Sequence, residues 1–340
     1  MTTTHVTLKD IARKAGVSTA TASLALSGDR RVKEKTRRAV EEAASLLNYV
    51  PNEIGRSLRA KKAETIALIF PNTPRFAFSH PYTVHLLQGI SEVLVHNHFH
   101  LLVSTAPSEA DETAAYEKIV RNRRADGIIL WPATVRDRHI LRILDSGLPV
   151  VYLGKWHDGE VATVERDEFG GAYKATEHLL KQGRRRIAHI STPQHYQVSI
   201  DRLAGYKSAL EDYGIPFDPS MVIGKDFSME SGADAARQLH AGGFVFDAIF
   251  GGNDRLAIGA MRALQQLGLS VPHDVAVAGC TNLEMGTITT PALTTIDQPM
   301  AQVGTLAAQK LIHMLNGEPL EQRQTLVSPQ LIIRGSCGAQ

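Results

Sequence analysis

Apolar positions follow a helical period in the first sixty residues and form short continuous runs in the rest of the chain. The helical period predicts two amphipathic helices, carried first by Leu8, Ile11, Ala12 and Ala15 and then, over Lys33–Leu47, by Val40, Ala43, Ala44 and Leu47. The later runs alternate with helical stretches, which is typical of βαβ units and parallel sheets. These predicted strands are Thr65–Phe70, Leu101–Ser104, Gly127–Trp131, Val150–Leu153, Ile187–Ser191, Ala248–Gly251 and Val275–Gly279.

A tight turn separates the first helix from a second one that starts three or four residues later. Thr7 with Asp10 three residues on is typical of an N-terminal cap. Gly16 permits a left-handed turn, and Ser18 can cap the next helix. This arrangement predicts a helix-turn-helix, in which the second helix enters the DNA major groove. A plain helical hairpin is the alternative.

Charge is distributed unevenly along a chain whose formal net charge is only +2. Residues 1–62 hold 13 Lys and Arg against 6 Asp and Glu, a net charge of +7, whereas the remaining 278 residues hold 24 against 29, a net charge of −5. A basic segment beside a helix-turn-helix favours phosphate binding. The acidic remainder, of about 275 residues, is long enough for two α/β lobes with full cores.

The chain resembles the lactose-repressor (LacI) family of bacterial transcription regulators over essentially its whole length. The resemblance is carried by 7–27, Thr36-Arg37, 49–52, 56–58, 202–206, Asn253-Asp254 and 291–296. It implies an α/β fold in which a three-helix helix-turn-helix DNA-binding head and a hinge helix precede a two-lobed periplasmic-binding-protein-like body with parallel sheets. We place the head at 1–50, the hinge helix and linker at 51–64, the N-subdomain at 65–163 plus 294–327, and the C-subdomain at 164–293 plus 328–336.

The resemblance also implies which residues contact double-stranded operator DNA. Thr19, Ala20 and Leu24 match positions that contact bases, and Leu58 matches a leucine that inserts into the minor groove; packing between hinge helices is the alternative for Leu58. The full predicted set is Thr7, Ser18, Thr19, Ala20, Thr21, Ser23, Leu24, Thr36, Asn52, Arg56 and Leu58. Leu24 replaces the family's Arg or His, which removes a hydrogen bond to a base and favours contact with a thymine methyl group. Lys33 replaces a small cap, and Gly55 weakens the hinge helix by about 1 kcal/mol relative to alanine.

Polar and aromatic residues that follow predicted strands mark a candidate effector site. In open parallel sheets, ligands lie outside the carboxyl ends of the strands, and the resemblance supports the same positions. The predicted residues are His80, Tyr82, Arg202, Phe227, Asn253, Asp254 and Thr281. We expect Arg202 to form a two-pronged bond with a carboxylate, phosphate or sugar hydroxyl, and Phe227 or Tyr82 to stack on a ring. Asp254 has helix capping as an equal alternative.

The identity of the effector stays open at this point. Many sugar-responsive relatives carry an aspartate at the position of Thr281, and threonine accepts hydrogen bonds less strongly. A carbohydrate is the first expectation; a nucleobase or another small polar metabolite is the alternative.

Other patterns are given plainer interpretations. His96, His98 and His100 alternate as metal ligands on a strand would, but no Cys or carboxylate completes a set, so we predict no metal and no cofactor. Arg184-Arg185-Arg186 is interpreted as a solvated loop. Cys280 and Cys337 are the only cysteines and predict no disulfide. The sequence starts without a signal-peptide pattern and has no apolar run of membrane-spanning length, so we expect a cytoplasmic protein with no membrane partner.

Three classes of function are considered for this sequence: a DNA-binding regulator, a solute-binding receptor and an enzyme. An effector-controlled regulator, most simply a homodimeric repressor that its effector releases from DNA, accounts for both the head and the body. A solute-binding receptor would need export, for which the sequence carries no signal. An enzyme is not expected, because the chain contains no nucleophile elbow, phosphate loop or metal-ligand cluster.

Overall fold

The chain folds into two compact units, Met1–Ala63 and Glu64–Gln340. The computed structural model describes residues 6–49, 62–70, 81–105, 117–131, 143, 145–156 and 160–338. The predicted hinge residues Asn52, Arg56 and Leu58, and the predicted effector residue His80, lie outside the described residues. No helix in the described part of the chain is long and apolar enough to cross a membrane.

Residues 6–49 of the first unit contain three helices, α1 Leu8–Ala15, α2 Thr19–Leu26 and α3 Glu34–Leu46. Their common core includes Ile11, Ala22 and Val40, each with no exposed surface. Gly16 adopts the predicted left-handed conformation at the end of α1, with φ 67°. The helical hairpin alternative is therefore replaced by a three-helix domain in which α2 follows the turn of a helix-turn-helix.

Each helix of the turn has the cap predicted for it. The backbone N–H and the hydroxyl of Thr7 donate to Asp10 Oδ2 at 2.9 and 2.6 Å. Ser18 Oγ accepts from the backbone N–H of Thr21 at 3.0 Å. Lys33 is the N-cap residue of α3, and its side chain makes no capping hydrogen bond because it has no acceptor atom. A cap hydrogen bond is worth about 1 kcal/mol, so the start of α2 is the better fixed of the two later helices.

The described residues of the second unit form two six-stranded sheets, which define its two lobes. The strands are β1 Thr65–Phe70, β2 His100–Thr105, β3 Gly127–Leu130, β4 Val150–Leu153, β5 Ala162–Arg166, β6 Ile187–Ser191, β7 Val222–Gly224, β8 Ala248–Gly251, β9 Ala276–Cys280, β10 Thr294–Asp297, β11 Gln324–Val327 and β12 Gln330–Ile332. In the first lobe the order is β11-β5-β4-β3-β1-β2, and all pairs are parallel. In the second lobe the order is β12-β10-β9-β8-β6-β7, with only β12 antiparallel to its neighbour.

Among the described residues, long helices cover both faces of the second sheet and one face of the first. In the first lobe α4 Pro81–His96 packs on α9 Met300–Leu315. In the second lobe α5 Glu168–Lys181 packs on α6 Gln197–Asp212, and α7 Met229–Ala241 packs on α8 Asp254–Gln266. Each sheet contributes its strands to two hydrophobic clusters, as expected for strands that are buried on both faces.

The chain crosses between the lobes after β5, after β10 and after β11. The predicted subdomain boundaries at 163/164 and 293/294 are wrong by a few residues. Residues up to Arg166 belong to the first sheet, because β5 pairs with β4 and β11. Thr294–Asp297 belongs to the second sheet, because β10 pairs with β9. Residues 166–168 and 297–300 are thus two crossover segments, and both contribute to the site described next.

Candidate DNA-binding helix and effector site

The α2 helix presents small side chains outward. Ala22 and Ala25 are buried against the other two helices, whereas Thr19 and Ala20 are exposed. Thr21, Ser23 and Leu24 are partly exposed. The predicted base-contacting residues Thr19, Ala20 and Leu24 are therefore available to a ligand, and the short side chains would let a base edge approach closely.

Two of the predicted phosphate contacts already take part in the cap of α2. The hydroxyls of Ser18 and Thr21 lie 2.9 Å apart and share a hydrogen bond. Thr7 is exposed at the start of α1, and Thr36 is partly exposed on α3. These four hydroxyls lie at or near helix N-termini, where backbone N–H groups favour an anion such as phosphate.

Several cations of the first unit are left without an acidic partner. Arg31 is paired with Asp29 at 2.7 Å, and its hydrogen bonds lower the pKa of Asp29 to about 2. Among residues 6–49, in contrast, five exposed cations form no ion pair, namely Lys9, Lys14, Arg30, Lys33 and Lys35. Their charge is available to phosphate groups.

In the second unit, several polar and aromatic side chains follow the carboxyl ends of strands, and Asn253 and Thr281 of the predicted set are among them. Trp131 follows β3 and Arg166 ends β5 in the first lobe, while Asn253, Thr281 and Gln298 follow β8, β9 and β10 in the second. Because the strands of each sheet run parallel, these ends meet at one edge of each sheet. That edge is the place where a ligand between the two lobes would bind.

Arg202 is buried and its guanidinium is already bonded. It lies in the second turn of α6, only 4% exposed, instead of at a helix start on the mouth of the cleft. Its Nε and Nη2 donate to Glu168 Oε2 at 2.8 and 2.7 Å, and its Nη1 donates to the carbonyl of Gly252. The two-pronged partner that the sequence assigned to an external ligand is, in the structure, the carboxylate of Glu168.

Glu168 also binds both crossover segments. Arg166 Nη2 lies 2.9 Å from Glu168 Oε1, and Gln298 Nε2 donates to Oε2 at 3.1 Å. Burial raises the pKa of Glu168, but the charges of Arg166 and Arg202 outweigh burial and leave that pKa below its ordinary value. We call Arg166, Glu168, Arg202 and Gln298 the Glu168 cluster.

Besides Glu168 Oε1, which is ion-paired with Arg166, two buried polar atoms near this cluster lack a hydrogen-bond partner among the described residues. They are Gln298 Oε1 and Thr281 Oγ1. Thr281 has φ 130°, a conformation that a β-branched residue rarely adopts, and its backbone N–H donates to Ile296 O at 2.8 Å. Strain together with unsatisfied buried polar atoms is characteristic of ligand-binding positions.

Asp254 holds the loop that carries Thr281, and Asn253 caps the helix on which Asp254 lies. Asn253 Oδ1 caps α8 by accepting from Leu256 N at 2.7 Å. Asp254 has no exposed surface and accepts from Leu283 N at 2.6 Å and from the hydroxyl of Thr295 at 2.5 Å. Asn253 is therefore the helix cap, and the carboxylate of Asp254 fixes the 281–283 loop against β10. Burial raises the pKa of Asp254 to about 6.

Aromatic rings line both lobes beside these polar groups. Tyr82 and Trp131, whose ring centroids lie 5.7 Å apart, belong to the first lobe. Tyr196 and Phe227, at 5.2 Å, belong to the second. The guanidinium of Arg166 lies 5.9 Å from the ring of Trp131. All four rings are partly exposed.

The structure brings the described predicted effector residues to the same end of the second unit, and it adds others. Sequence reasoning missed Trp131, Arg166, Glu168, Tyr196 and Gln298. Trp131 ended a predicted strand, so the strand-end rule was sufficient to find it. The contact between Glu168 and Arg202 joins residues 34 positions apart and has no local signal in the sequence.

The arginine run, the candidate metal ligands and the two cysteines are not part of the predicted sites. Arg184 donates to the carbonyls of Asp247, Pro272 and His273, so it holds loops together instead of forming a free basic patch. No group of three or more candidate metal ligands occurs among the described residues. Cys280 and Cys337 are both buried, and Cys337 Sγ lies 3.2 Å from His178 Nε2.

A basic helix-turn-helix unit together with a two-lobed body that has a polar and aromatic site defines a ligand-responsive DNA-binding regulator. Residues 7–52 match the model of bacterial regulatory proteins of the lacI family, and 176–337 match a periplasmic binding protein-like domain. The chain is 32% identical to the ribose operon repressor of Escherichia coli K12 over 97% of its length and 99% of that protein. It therefore belongs to the LacI family of transcription regulators.

Two solved structures have the same fold over nearly the full length. A structure of the lac repressor dimer bound to operator and the anti-inducer ONPF matches with a TM-score of 0.88 and 26% identity, covering 98% of this chain and 99% of that one. A complex of the regulator CelR with cellobiose matches with a TM-score of 0.75 and 30% identity, covering 97% and 99%. These similarities confirm the predicted fold class and family.

Proposed function

We propose that this regulator binds its operator as a homodimer and is controlled by a neutral polyhydroxyl effector, most simply a carbohydrate, which releases it from DNA. The observation that carries the effector class is the pair of unsatisfied buried atoms, Thr281 Oγ1 and Gln298 Oε1. Gln298 Oε1 is a carbonyl oxygen and can only accept a hydrogen bond, and the bond that Gln298 Nε2 donates to Glu168 fixes which way the amide points. A hydroxyl group can donate to Gln298 and either donate to or accept from Thr281.

The rings of the two lobes support a cyclic effector. A sugar ring presents C–H groups on its faces and hydroxyls around its edge, which suits aromatic side chains on the walls and polar groups at the floor. Tyr82 and Trp131 on one lobe and Tyr196 and Phe227 on the other offer such walls. A nucleobase would also stack, but it presents fewer hydroxyl donors to Gln298.

The relatives supply the rest of the proposal. One is named a ribose operon repressor, a CelR structure contains cellobiose, and the lac repressor structure is a dimer on its operator. A single helix-turn-helix covers one half-site, so a dimer is the simplest form that reads a complete operator. Effector binding between the lobes would favour one arrangement of the body, and the resulting coupling energy would change operator affinity.

A ligand screen tests the effector class. Thermal unfolding of the full-length protein is measured with neutral mono- and disaccharides, nucleosides and nucleobases, and ligands that raise the midpoint are then added to promoter-fragment binding assays. We expect a neutral sugar to stabilise the protein and to weaken DNA binding. Stabilisation by nucleobases alone would reverse the effector class, and tighter DNA binding with the ligand would reverse the direction of control.

A variant checks the proposed contact of the ligand with Thr281. Thr281→Val keeps the shape of the side chain but removes the hydroxyl. We expect affinity for the identified sugar to fall about tenfold, which corresponds to roughly 1.4 kcal/mol for one lost hydrogen bond. Thr287→Val, outside the predicted site, is the control. Unchanged affinity in titration calorimetry of Thr281→Val would exclude this contact.

A further inference from the structure

In the Glu168 cluster, the carboxylate of Glu168 occupies the edge of the Arg202 guanidinium at which the carboxylate of a ligand would otherwise bind. The Nε and Nη2 edge of a guanidinium is the edge that grips a carboxylate or phosphate with two hydrogen bonds. In Arg202 both of these atoms bond to Glu168 Oε2. The remaining nitrogen donates to the carbonyl of Gly252.

Arg166, the other guanidinium of the cluster, is likewise engaged. Its Nη2 pairs with Glu168 Oε1 at 2.9 Å, its Nη1 donates to Met300 Sδ at 3.5 Å, and it lies beside the ring of Trp131. One buried carboxylate, 5% exposed, thus pairs with a cation from each lobe, which lowers the net charge of the cluster from +2 to +1. An anionic effector would have to displace this carboxylate or bind beside its negative charge.

From this geometry we infer that Glu168 is an internal anion that restricts the effector site to neutral ligands and holds the amide of Gln298 with its carbonyl oxygen unsatisfied. The inference rests on the proposed function for the identity of the site and adds its charge selectivity. Glu168 accepts from Gln298 Nε2, and this contact orients the amide so that Oε1 remains as an acceptor. Glu168 is therefore a positioning and specificity-determining residue that needs no direct contact with the effector.

Removal of the charge of Glu168 should convert the cluster into an anion site. In Glu168→Gln the side chain keeps its size, but Arg166 and Arg202 lose the charge that balances them. An added anion would then gain charge-assisted hydrogen bonds, which are roughly twice as strong as neutral ones. Glu168→Asp keeps the charge. Glu177→Gln removes an acid that pairs with Lys181 on the same helix and serves as the matched control.

The test compares neutral and anionic sugars of the same shape in the full-length protein. D-glucose is paired with D-glucuronate and D-ribose with ribose 5-phosphate, and dissociation constants are measured by calorimetry. We expect Glu168→Gln to shift the ratio of affinities toward the anionic member by at least about tenfold, as expected for one charge-assisted hydrogen bond. The wild type, Glu168→Asp and Glu177→Gln should keep the preference for the neutral member. A general loss of stability would weaken both members alike and would not move this ratio.

Inorganic phosphate provides a readout that does not depend on the natural effector. Phosphate should raise the thermal midpoint of Glu168→Gln in a saturable manner and leave that of the wild type and Glu177→Gln unchanged. The double variant Arg166→Gln, Glu168→Gln keeps the net charge of the cluster, still frees Arg202, and should also gain phosphate binding if the single variant fails to fold.

The outcomes separate the two proposals. If the wild type responds to no neutral ligand but Glu168→Gln gains phosphate binding, the proposed effector class fails and the role of Glu168 stands. If the wild type prefers the anionic members, or if neither variant gains phosphate binding and the affinity ratios stay unchanged, the role of Glu168 is overturned.

Discussion

At the scale of single residues, the candidate site is governed by buried polar groups whose partners are distant in sequence. The sequence predicted that Arg202 would matter, because arginine at a cleft is typical of ligand binding. It could not predict that Glu168 occupies the guanidinium, since that contact depends on the packing of α5 against α6. Similarly, the sequence offered an effector contact or a helix cap for Asp254, whereas its hydrogen bonds to Leu283 and Thr295 arise from the fold of the second lobe.

His189 is a second buried polar residue, and it makes a pH-dependent contribution to stability. Its ring lies between those of Tyr206 and Phe250, with centroids 5.2 and 4.9 Å away. Its Nδ1 lies 3.0 Å from the carbonyl of Phe250, so this nitrogen carries the proton of the neutral ring. Burial lowers the pKa of His189 from its ordinary value of 6.5 to about 4. The unfolded chain therefore binds a proton at a higher pH than the native protein does.

We predict that His189→Phe reduces the loss of stability on acidification. Because the folded pKa is depressed, the wild type loses stability as the pH falls from about 6.5 to about 4, by on the order of 3 kcal/mol from this group. Phenylalanine keeps the stacking and removes the titration. Urea unfolding at pH 7 and pH 4.5 gives the two free energies, and their difference should be smaller in the variant, whatever constant cost the lost hydrogen bond adds at both pH values.

Asp254 contributes with the opposite sign. Burial raises its pKa to about 6, so the native state holds a proton more tightly and stability falls as the pH rises from about 4 to about 6. In His189→Phe this contribution is no longer offset by the histidine.

The control for the His189→Phe experiment is the exposed His240, which is changed to Gln and should follow the wild type. Parallel pH profiles for His189→Phe and the wild type would contradict the assignment.

At the scale of helices and strands, much of the second unit was predictable. Continuous apolar runs with turn residues on either side gave β1, β4, β6 and β8 with the bounds observed, and β2, β3 and β9 within one residue at each end. The crossover after β10 was misplaced because Thr294–Asp297 carries little apolar signal, and only its pairing with β9 assigns it to the second sheet. Local pattern therefore predicts where strands lie, but not to which sheet an ambiguous strand belongs.

Close packing of α4 on α9 depends on two glycines that face the opposite helix backbone. A Cβ atom on Gly89 would lie 1.9 Å from the carbonyl oxygen of Ala301, and one on Gly304 would lie 2.4 Å from that of Leu86. Neither obstacle is a flexible side chain. The two helices can approach this closely only because both positions lack a side chain, and α9 begins just after the crossover that contains Gln298.

We predict that Gly89→Ala destabilises the first lobe. The helices would have to move apart, which costs about 3 kcal/mol for overpacking of this kind, although alanine has the better helix propensity. Gln88→Ala, on the exposed side of the same helix, should change the free energy of unfolding by less than about 0.5 kcal/mol. Equal unfolding free energies for the two variants in urea would show that the helices can separate without cost.

At the scale of the whole molecule, charge separates the unit that binds DNA from the unit that binds the effector. Residues 1–62 carry a net charge of +7 and the remaining 278 a net charge of −5. Exposed cations of the head without acidic partners can replace the counterions of DNA, whereas an acidic body would be repelled by the phosphate backbone. Operator binding should therefore depend on salt through the head alone, while the binding of a neutral effector should depend on salt only weakly.

This division predicts how the salt dependence of operator binding responds to single lysines. Lys33→Gln removes an exposed, unpaired cation at the start of α3, next to the predicted phosphate contact Thr36. If Lys33 contacts one phosphate, the slope of log affinity against log salt should fall in magnitude by about 1, and affinity should decrease for all DNA sequences alike. Lys181→Gln, in the second unit and paired with Glu177, should leave the slope unchanged. Fluorescence anisotropy with an operator and a random duplex at several salt concentrations measures the affinity and its salt slope. If Lys33→Gln and Lys181→Gln change the slope equally, the second unit also contacts the DNA backbone.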